Sequence, residues 1–527
     1  MTKRKGRQAI FMGKNKVNKI KKINVIYYLS NINDWVDIVS RLKKNLNWHP
    51  SCCIVHTIEQ YKAFKSKFPE IICYFRSDAI NGIAPPELTE DLAVIDAEYI
   101  NKQLYHEQIA MKIMDRVKGG KLTYNERKRL INQIVCTWLN VINIIKPSIT
   151  LFTAVPHDIA SYLLYAVCDV KNINTYILKN SFLNFIEVIE KFENPNPKIE
   201  NEYKKILDSN KICVFDMNSI KNKELKEFIR NVKGSYDKAE PYYMKEQNKK
   251  DKKYNVIIST TLALLDKIPK VTDKAKQMSF SKKVDLVFSL PKKIFNNYLY
   301  SYQAKLLKMK LQKKYLSKCQ NINFNKPYIY VALHYQPERT TSPEGGYYVD
   351  QWLMVRLLSI CVPKGWYVYV KEHKSQFYKG MQGHLGRTES FYEDLVKLKN
   401  VKLVPTEISS FKLIDNSQAV ATVTGTVGLE AILRGKPVMV FGFAWYRNCE
   451  GVFYVPNKVD VKNAIKIIRN GYRVNDKAVI AFLSIVEKNS TKAYWAQWSK
   501  KKAKITYSEN VKRIATAIET YVNERKV

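Results

Sequence analysis

Four short stretches in the C-terminal half carry side chains from which a binding site could be built. His334-Tyr335-Gln336-Pro337-Glu338, Lys371-Glu372-His373, Thr424-Gly425-Thr426 and Phe443-Ala444-Trp445-Tyr446 each follow directly on a run of β-branched and aromatic residues. Two imidazoles, a lysine and two hydroxyls suit an anion such as a phosphate, and Gln336, Glu338 and the aromatic pair at Trp445 suit the polar and flat parts of a larger ligand. The turn Thr424-Gly425-Thr426 leads into an apolar helical pattern over 427–434 that ends at Gly435, a suitable C-terminal cap. Free amides at that helix start favour an anion, and Gly425 and Gly428 leave room for its close approach. Glu430, placed in the first turn, could accept hydrogen bonds from sugar hydroxyls; it equally suits a simple complement to the positive helix end. The turn is neither GxxxxGK[ST] nor GxGxxG. In the first half, His157 and Asp158 follow another such run, and Asp158 is both an acid–base candidate and a plausible helix cap.

The apolar runs fall into two groups. In the first half, strands are expected over 23–30, 51–58, 71–78, 148–158 and 174–180, alternating with helices over 33–46, 96–116, 124–145 and 158–168. In the second half, strands over 327–333, 366–373, 401–405, 419–423 and 437–442 alternate with helices that include 348–358 and 390–398. Strand and helix in alternation give parallel sheets covered on both faces, and such sheets bind ligands beyond the carboxyl ends of their strands. The expected organisation is therefore a basic arm at 1–22, a Rossmann-like domain at 23–233 and a basic linker at 234–325. A second Rossmann-like domain at 326–490 follows, and then a helical tail at 491–527 that could pack back on the first domain. Within the linker, residues 291–319 interleave Tyr298, Tyr300, Tyr302 and Tyr315 with lysine. That pattern suits an amphipathic helix with its aromatics on a core and its lysines in water, or a surface for nucleic acid.

The chain has 527 residues and a formal net charge of +40, which favours polyanions: nucleic acid, an anionic membrane surface or phosphate-bearing substrates. Abundant Lys, Asn, Ile and Tyr together also suit plain compositional bias. The nine cysteines lack paired zinc spacing and read as reduced and mostly buried, as in a cytoplasmic protein. The sequence shows no apolar signal core and no run of roughly 18 uncharged apolar residues, so the expectation is a cytoplasmic protein, at most peripheral to a membrane.

LHYQPERTTSPEGGYYVDQW, YVKEHKSQF and VTGTVGLEAILRGKPVMVFGFAWY, in this order and spacing, resemble the C-terminal half of the bacterial capsule polysaccharide biosynthesis family, which includes β-Kdo transferases. TAVPHDIASYLLYAV and YILKNSFLNFIEVIEKFENPNP resemble the acceptor-side domain of similar proteins. The resemblance implies a GT-B-like α/β fold, with two Rossmann-like domains facing a central cleft and a glycosyltransferase activity. It implies that Lys371 and His373 meet the nucleotide phosphate, while Thr424, Gly425, Thr426 and Glu430 match the (S/T)-G-(S/T)-x-G-x-E segment near nucleotide and ribose. It also implies a nucleotide-sugar donor, CMP-Kdo in members that are Kdo transferases, with no cofactor and no catalytic metal. The acceptor would be a glycan or lipid-linked glycan at the inner face of the anionic cytoplasmic membrane, and no specific nucleic acid is expected. The catalytic carboxylates come from the first domain, where Asp158, with His157, and Glu190 are the candidates. Near Glu190 related proteins carry an acidic pair before an aromatic residue, whereas this chain reads Glu190-Lys191-Phe192-Glu193. Two alternatives remain: a sugar-nucleotide 2-epimerase-like enzyme on the same fold, and a polyanion or nucleic-acid binder working through its basic segments.

Overall fold

A computed structural model describes residues 22–88, 93–181, 183–209, 211–235, 280–378 and 380–525. Almost all of the expected basic arm, and linker residues 236–279, lie outside the described residues.

Two separate sheets organise the chain. The first contains β1 (Ile23–Tyr28), β2 (Trp48–Val55), β3 (Ile72–Phe75), β4 (Ile149–Phe152) and β5 (Asn174–Asn180), parallel and in the order 3-2-1-4-5, extended by β6 (Phe185–Ile189) antiparallel to β5. The second contains β7 (Tyr328–Ala332), β8 (Tyr367–Lys371), β9 (Val401–Val404), β10 (Ala419–Thr422), β11 (Val438–Val440) and β12 (Val452–Tyr454), all parallel, in the order 9-8-7-10-11-12. The short β13 (Thr491–Lys492) then returns to the first sheet beside β6. Both are Rossmann-like orders, each reversing direction at one point: between β1 and β4, and between β7 and β10. The strands read as unbroken apolar runs because helices cover both faces; β4 and β10 are buried along their whole length.

Local chemistry explains the helix limits that matter for the site. The helix Tyr124–Ile145 opens on a capping box between Thr123 and Glu126 and ends at Lys146 in the left-handed conformation before Pro147. The helix Ile159–Val170 is capped by Asp158, whose side chain takes the Ala160 and Ser161 amides.

The domain boundary falls earlier than the expected 233. The helices Pro197–Asp208 and Lys223–Lys233 bury Ile199, Tyr203, Leu225, Ile229 and Val232 with Val479 and Phe482 in the core of the second domain. The Tyr203 hydroxyl donates to the Ala478 carbonyl at 3.1 Å. An apolar stripe shows that a helix buries one face without saying which sheet receives it. At the other end, the helix Tyr507–Glu524 packs Ile514, Ala515 and Ile518 on Trp35, Ile38 and Leu42 of the first domain. The linker helix runs from Phe280 to Lys318. Its aromatics do not all face a core: Tyr315 is buried, Tyr300 stands beside His384, and Tyr302 is exposed because residues two apart lie on different sides of a helix.

Candidate active site

At the reversal between β7 and β10, His334 ties two strand ends together. Its Nε2 accepts hydrogen bonds from the Thr424 amide at 3.2 Å and the Thr422 hydroxyl at 3.0 Å, while its own amide donates to Gln351 Oε1 at 2.7 Å. With Nε2 accepting, the ring proton sits on Nδ1, 3.4 Å from Glu338 Oε2. Gly425 permits this packing: a Cβ there would stand 3.1 Å from His334 Cε1 and 2.9 Å from Thr422 Oγ1. A Cβ on Gly428 would lie 2.2 Å from the Tyr446 hydroxyl, which donates to the Gly425 carbonyl. The room at Gly428 is thus filled by the protein's own Tyr446, which corrects the expectation that it serves a ligand, while Gly425 packs on His334 at the cavity wall.

Beyond these strand ends lies a cavity of about 1200 Å³ lined by His334, Glu338, Lys371, His373, Thr424, Gly425, Thr426 and Glu430. Lys371 Nζ donates to the Ile408 carbonyl at 2.5 Å and to Ser410 Oγ at 3.1 Å, and burial, helped by Lys374, draws its pKa down to about 8. His373 Nδ1 accepts the Ser375 amide at 3.1 Å, so the neutral ring carries its proton on Nε2; burial keeps its pKa low against the pull of Glu338 and Glu372. The Thr424 hydroxyl oxygen is buried without a hydrogen-bond partner among the described residues, on the cavity wall. Glu430 is pushed up to a pKa of about 7 by burial, with Arg434 opposing. It is the fifth residue of the helix Thr426–Leu433 and so lies beyond the first turn, where the helix end does little for a carboxylate.

Three expected residues do not line this cavity. Gln336 is buried in the loop after β7, donating to Thr341 Oγ1 at 2.5 Å and accepting from the Glu338 amide at 3.3 Å. Gly428 faces Tyr446, and Trp445 stacks on Phe482, with ring centroids 6.3 Å apart, against the core of the second domain. Glu372, between two lining residues, points inward to a buried pair with Arg387 at 2.8 Å and accepts from the Tyr392 hydroxyl at 2.8 Å. Arg387 also donates to the His334 carbonyl at 3.0 Å, fixing the loop.

A second cavity, of about 640 Å³, sits at the corresponding reversal of the first sheet and is lined by His56, Arg76, His157 and Asp158 among others. Both Asp158 oxygens are occupied. Oδ1 accepts the Ala160 amide at 3.1 Å, the Ser161 amide at 3.0 Å and the Tyr28 hydroxyl at 2.9 Å, while Oδ2 pairs with Arg76 Nε at 3.3 Å. Burial pushes its pKa up, but Arg76, His157 and these donors outweigh it and hold the group below the ordinary value. His157 differs. Its Nδ1 donates to the Val155 carbonyl at 2.8 Å, so Nε2 keeps a lone pair, and burial holds the ring neutral.

Glu190 lies in neither cavity and pairs with Arg525 on the outside of the domain. The reason is the direction of β6. Running antiparallel to β5, it delivers Glu190 to the amino edge of the parallel strands, where the Glu190 carbonyl accepts from Thr175.

Arg116 and Arg339 line both cavities. Arg116 donates to the carbonyls of Glu338, His157 and Ser342, bridging the two domains. Burial, with Arg339 nearby, lowers its pKa to about 10, so it remains a cation at neutral pH. The sequence held no signal for this pair: Arg116 ends an expected helix and Arg339 follows a strand in the other domain.

The profile of the family described as capsule polysaccharide biosynthesis protein matches residues 240–464. Capsule polysaccharide modification protein LipA of Neisseria meningitidis serogroup A is 36% identical over 61 residues, 12% of this chain and 9% of that relative. The serogroup B protein of the same name is 34% identical over 61 residues, again 9% of its length, so this chain matches only a small part of either relative. Among solved structures, Methanocaldococcus jannaschii UDP-GlcNAc 2-epimerase in complex with UDP-GlcNAc and UDP is similar at 12% identity and a TM-score of 0.23, over 89% of this chain and 100% of that one. The Thermosulfurimonas dismutans KpsC β-Kdo 2,7 transferase gives 12% and 0.23 over 73% of this chain and 97% of that one. The β-Kdo 2,4 transferase of the same organism gives 17% and 0.22 over 34% and 54%. Residues 240–464, less than half of this chain, are thus similar to the capsule polysaccharide biosynthesis family.

Proposed function

We propose that this protein is a metal-independent GT-B-type glycosyltransferase of capsule or other surface-polysaccharide assembly. The nucleotide-sugar donor sits in the larger cavity and the glycan or lipid-linked acceptor in the smaller one. The observation that carries this reading is that the two cavities, each at the reversal of its own sheet, share Arg116 and Arg339 at their junction. A reacting centre placed there has cationic groups from both domains around the phosphate that leaves. Lys371, the His373 Nε2–H and the helix-start amides after Gly425 would hold the nucleotide phosphate, with the Thr424 hydroxyl as a further donor. Glu430, partly protonated near neutrality, suits ribose or sugar hydroxyls. On the acceptor side, the free Nε2 of His157 is the better general base, since Asp158 is saturated by its own donors. CMP-Kdo is the donor suggested by the family's Kdo transferases.

A thermal-shift scan of CMP, UDP and GDP with their sugars tests the reading. One nucleotide at a hundredfold excess over its Kd is expected to stabilise the protein by about 2.7 kcal/mol. Thr426→Val with His373→Ala is expected to remove that shift and glycan synthesis together. No shift with any nucleotide would end the proposal, and acceptor-independent epimerisation of a UDP-sugar would replace it.

A further inference from the structure

The helix Phe280–Lys318 carries two stripes over residues 299–318. Ala304, Lys308, Leu311 and Tyr315 recur every three or four residues and are buried against the second domain. Tyr315 meets the rings of Phe377 and Tyr392 at 5.6 and 5.1 Å, and Lys308 Nζ donates to the carbonyls of Tyr378 and Met381 at 3.2 and 2.9 Å. A second stripe keeps the same rhythm, offset by two residues and therefore on the opposite side. Leu299, Tyr302, Leu306, Met309 and Leu316 are 42%, 45%, 47%, 55% and 43% exposed. Lys313 fills the position between Met309 and Leu316, and Lys305 and Lys310 flank the stripe on either side.

Charge decides what such a face can meet. Residues 299–318 contain six lysines and no Asp or Glu. Lys310 and Lys314 pair with Glu389 and Glu393 of the helix Glu389–Val396, while Lys305, Lys313 and Lys318 have no ion pair among the described residues. A second copy of this helix would set lysine against lysine with no carboxylate to relieve it. The chain's own residues 236–279 are also basic, with ten lysines to six carboxylates. Nucleic acid would answer the lysines but leave the aliphatic stripe in water. An anionic lipid leaflet answers both features: acyl chains and glycerol take the apolar side chains, and lysine stems reach out to phosphate.

We propose that the exposed face of residues 299–318 docks this protein onto an anionic membrane surface, lying in the headgroup layer. Among the described residues no helix is long and apolar enough to cross a membrane, so the contact is peripheral at this helix. This inference does not depend on the glycosyltransferase reading, since the docking face lies on the linker helix and can be tested without any substrate.

The test is co-sedimentation of the full chain with vesicles of equal parts phosphatidylglycerol and phosphatidylcholine, against phosphatidylcholine alone. Binding is expected to the anionic vesicles only and to weaken with salt. Leu306→Glu with Met309→Glu is expected to raise the lipid needed for half-binding about tenfold or more, with an unchanged melting temperature because both sites are exposed. Lys305→Gln with Lys313→Gln should flatten the salt dependence. Any of four results would overturn the proposal: no binding to anionic vesicles, full binding by the glutamate variant, a lowered melting temperature showing that the stripe is covered within the chain, or a wild-type dimer that the glutamate variant turns into a monomer.

Discussion

At the scale of single residues, the site divides into groups that hold the protein together and groups left free to act. Asp158 belongs to the first kind, engaged by two amides, a tyrosine and Arg76, and His157 to the second. His157→Ala is therefore expected to lower kcat by about a hundredfold or more with little loss of stability, measured by steady-state kinetics and thermal melting. Asp158→Asn should do the reverse, costing about 1–3 kcal/mol of stability through a weakened cap and the loss of the carboxylate that pairs with Arg76. Glu430 gives a pH prediction with a definite sign. Its folded pKa of about 7 stands above the ordinary carboxyl value, so between roughly pH 4.5 and 7 the folded state holds more protons than the unfolded one. Stability from this group is full at low pH and falls as pH rises through that window. Denaturant midpoints measured across it should decline less in Glu430→Gln than in the wild type.

Single elements show how the turn before the helix Thr426–Leu433 is kept in shape. The helix Thr426–Leu433 lies close enough to Tyr446 that only glycine fits at 428, and the Tyr446 hydroxyl in turn holds the Gly425 carbonyl at the helix start. Gly428→Ala is expected to cost about 1–3 kcal/mol and to weaken nucleotide binding, because the helix start must move. Pairing it with Tyr446→Phe should recover part of the stability by removing the clashing oxygen. Equilibrium unfolding and the nucleotide shift read the two effects separately.

For the whole molecule, the cleft depends on charges buried between the domains. Lys179, at the carboxyl end of β5, pairs with Glu344 of the second domain at 3.0 Å and donates to the Phe443 carbonyl at 3.2 Å. Burial raises neighbouring Glu187 to a pKa of about 7 while Lys179 pulls it down, so this lysine answers two carboxyls at once. Lys179→Met is expected to destabilise the protein by about 3 kcal/mol by leaving Glu344 buried and unpaired, with Lys179→Met/Glu344→Gln recovering part of it. The unfolding midpoint checks both. Arg116 and Arg447 add hydrogen bonds to carbonyls across the same boundary, Arg447 to that of Glu193.

The sequence by itself determined the elements and the edge on which they present chemistry. Strands such as β7, β8 and β10 are continuous apolar runs, and the residues that follow them reach one cavity because parallel strands end on one side. Asp158 and Gly435 mark helix ends by capping chemistry that acts within a few residues, so they too were legible in sequence. What only the tertiary structure decided is whatever depends on partners distant in the chain. The antiparallel turn of β6 carried Glu190 to the wrong edge, and the helices 197–233 chose the second core. Trp445 turned to Phe482, and Arg116 met Arg339 where the two cavities join. Periodicity and capping are local, whereas strand direction, choice of core and contacts between domains are fixed only when the whole chain packs.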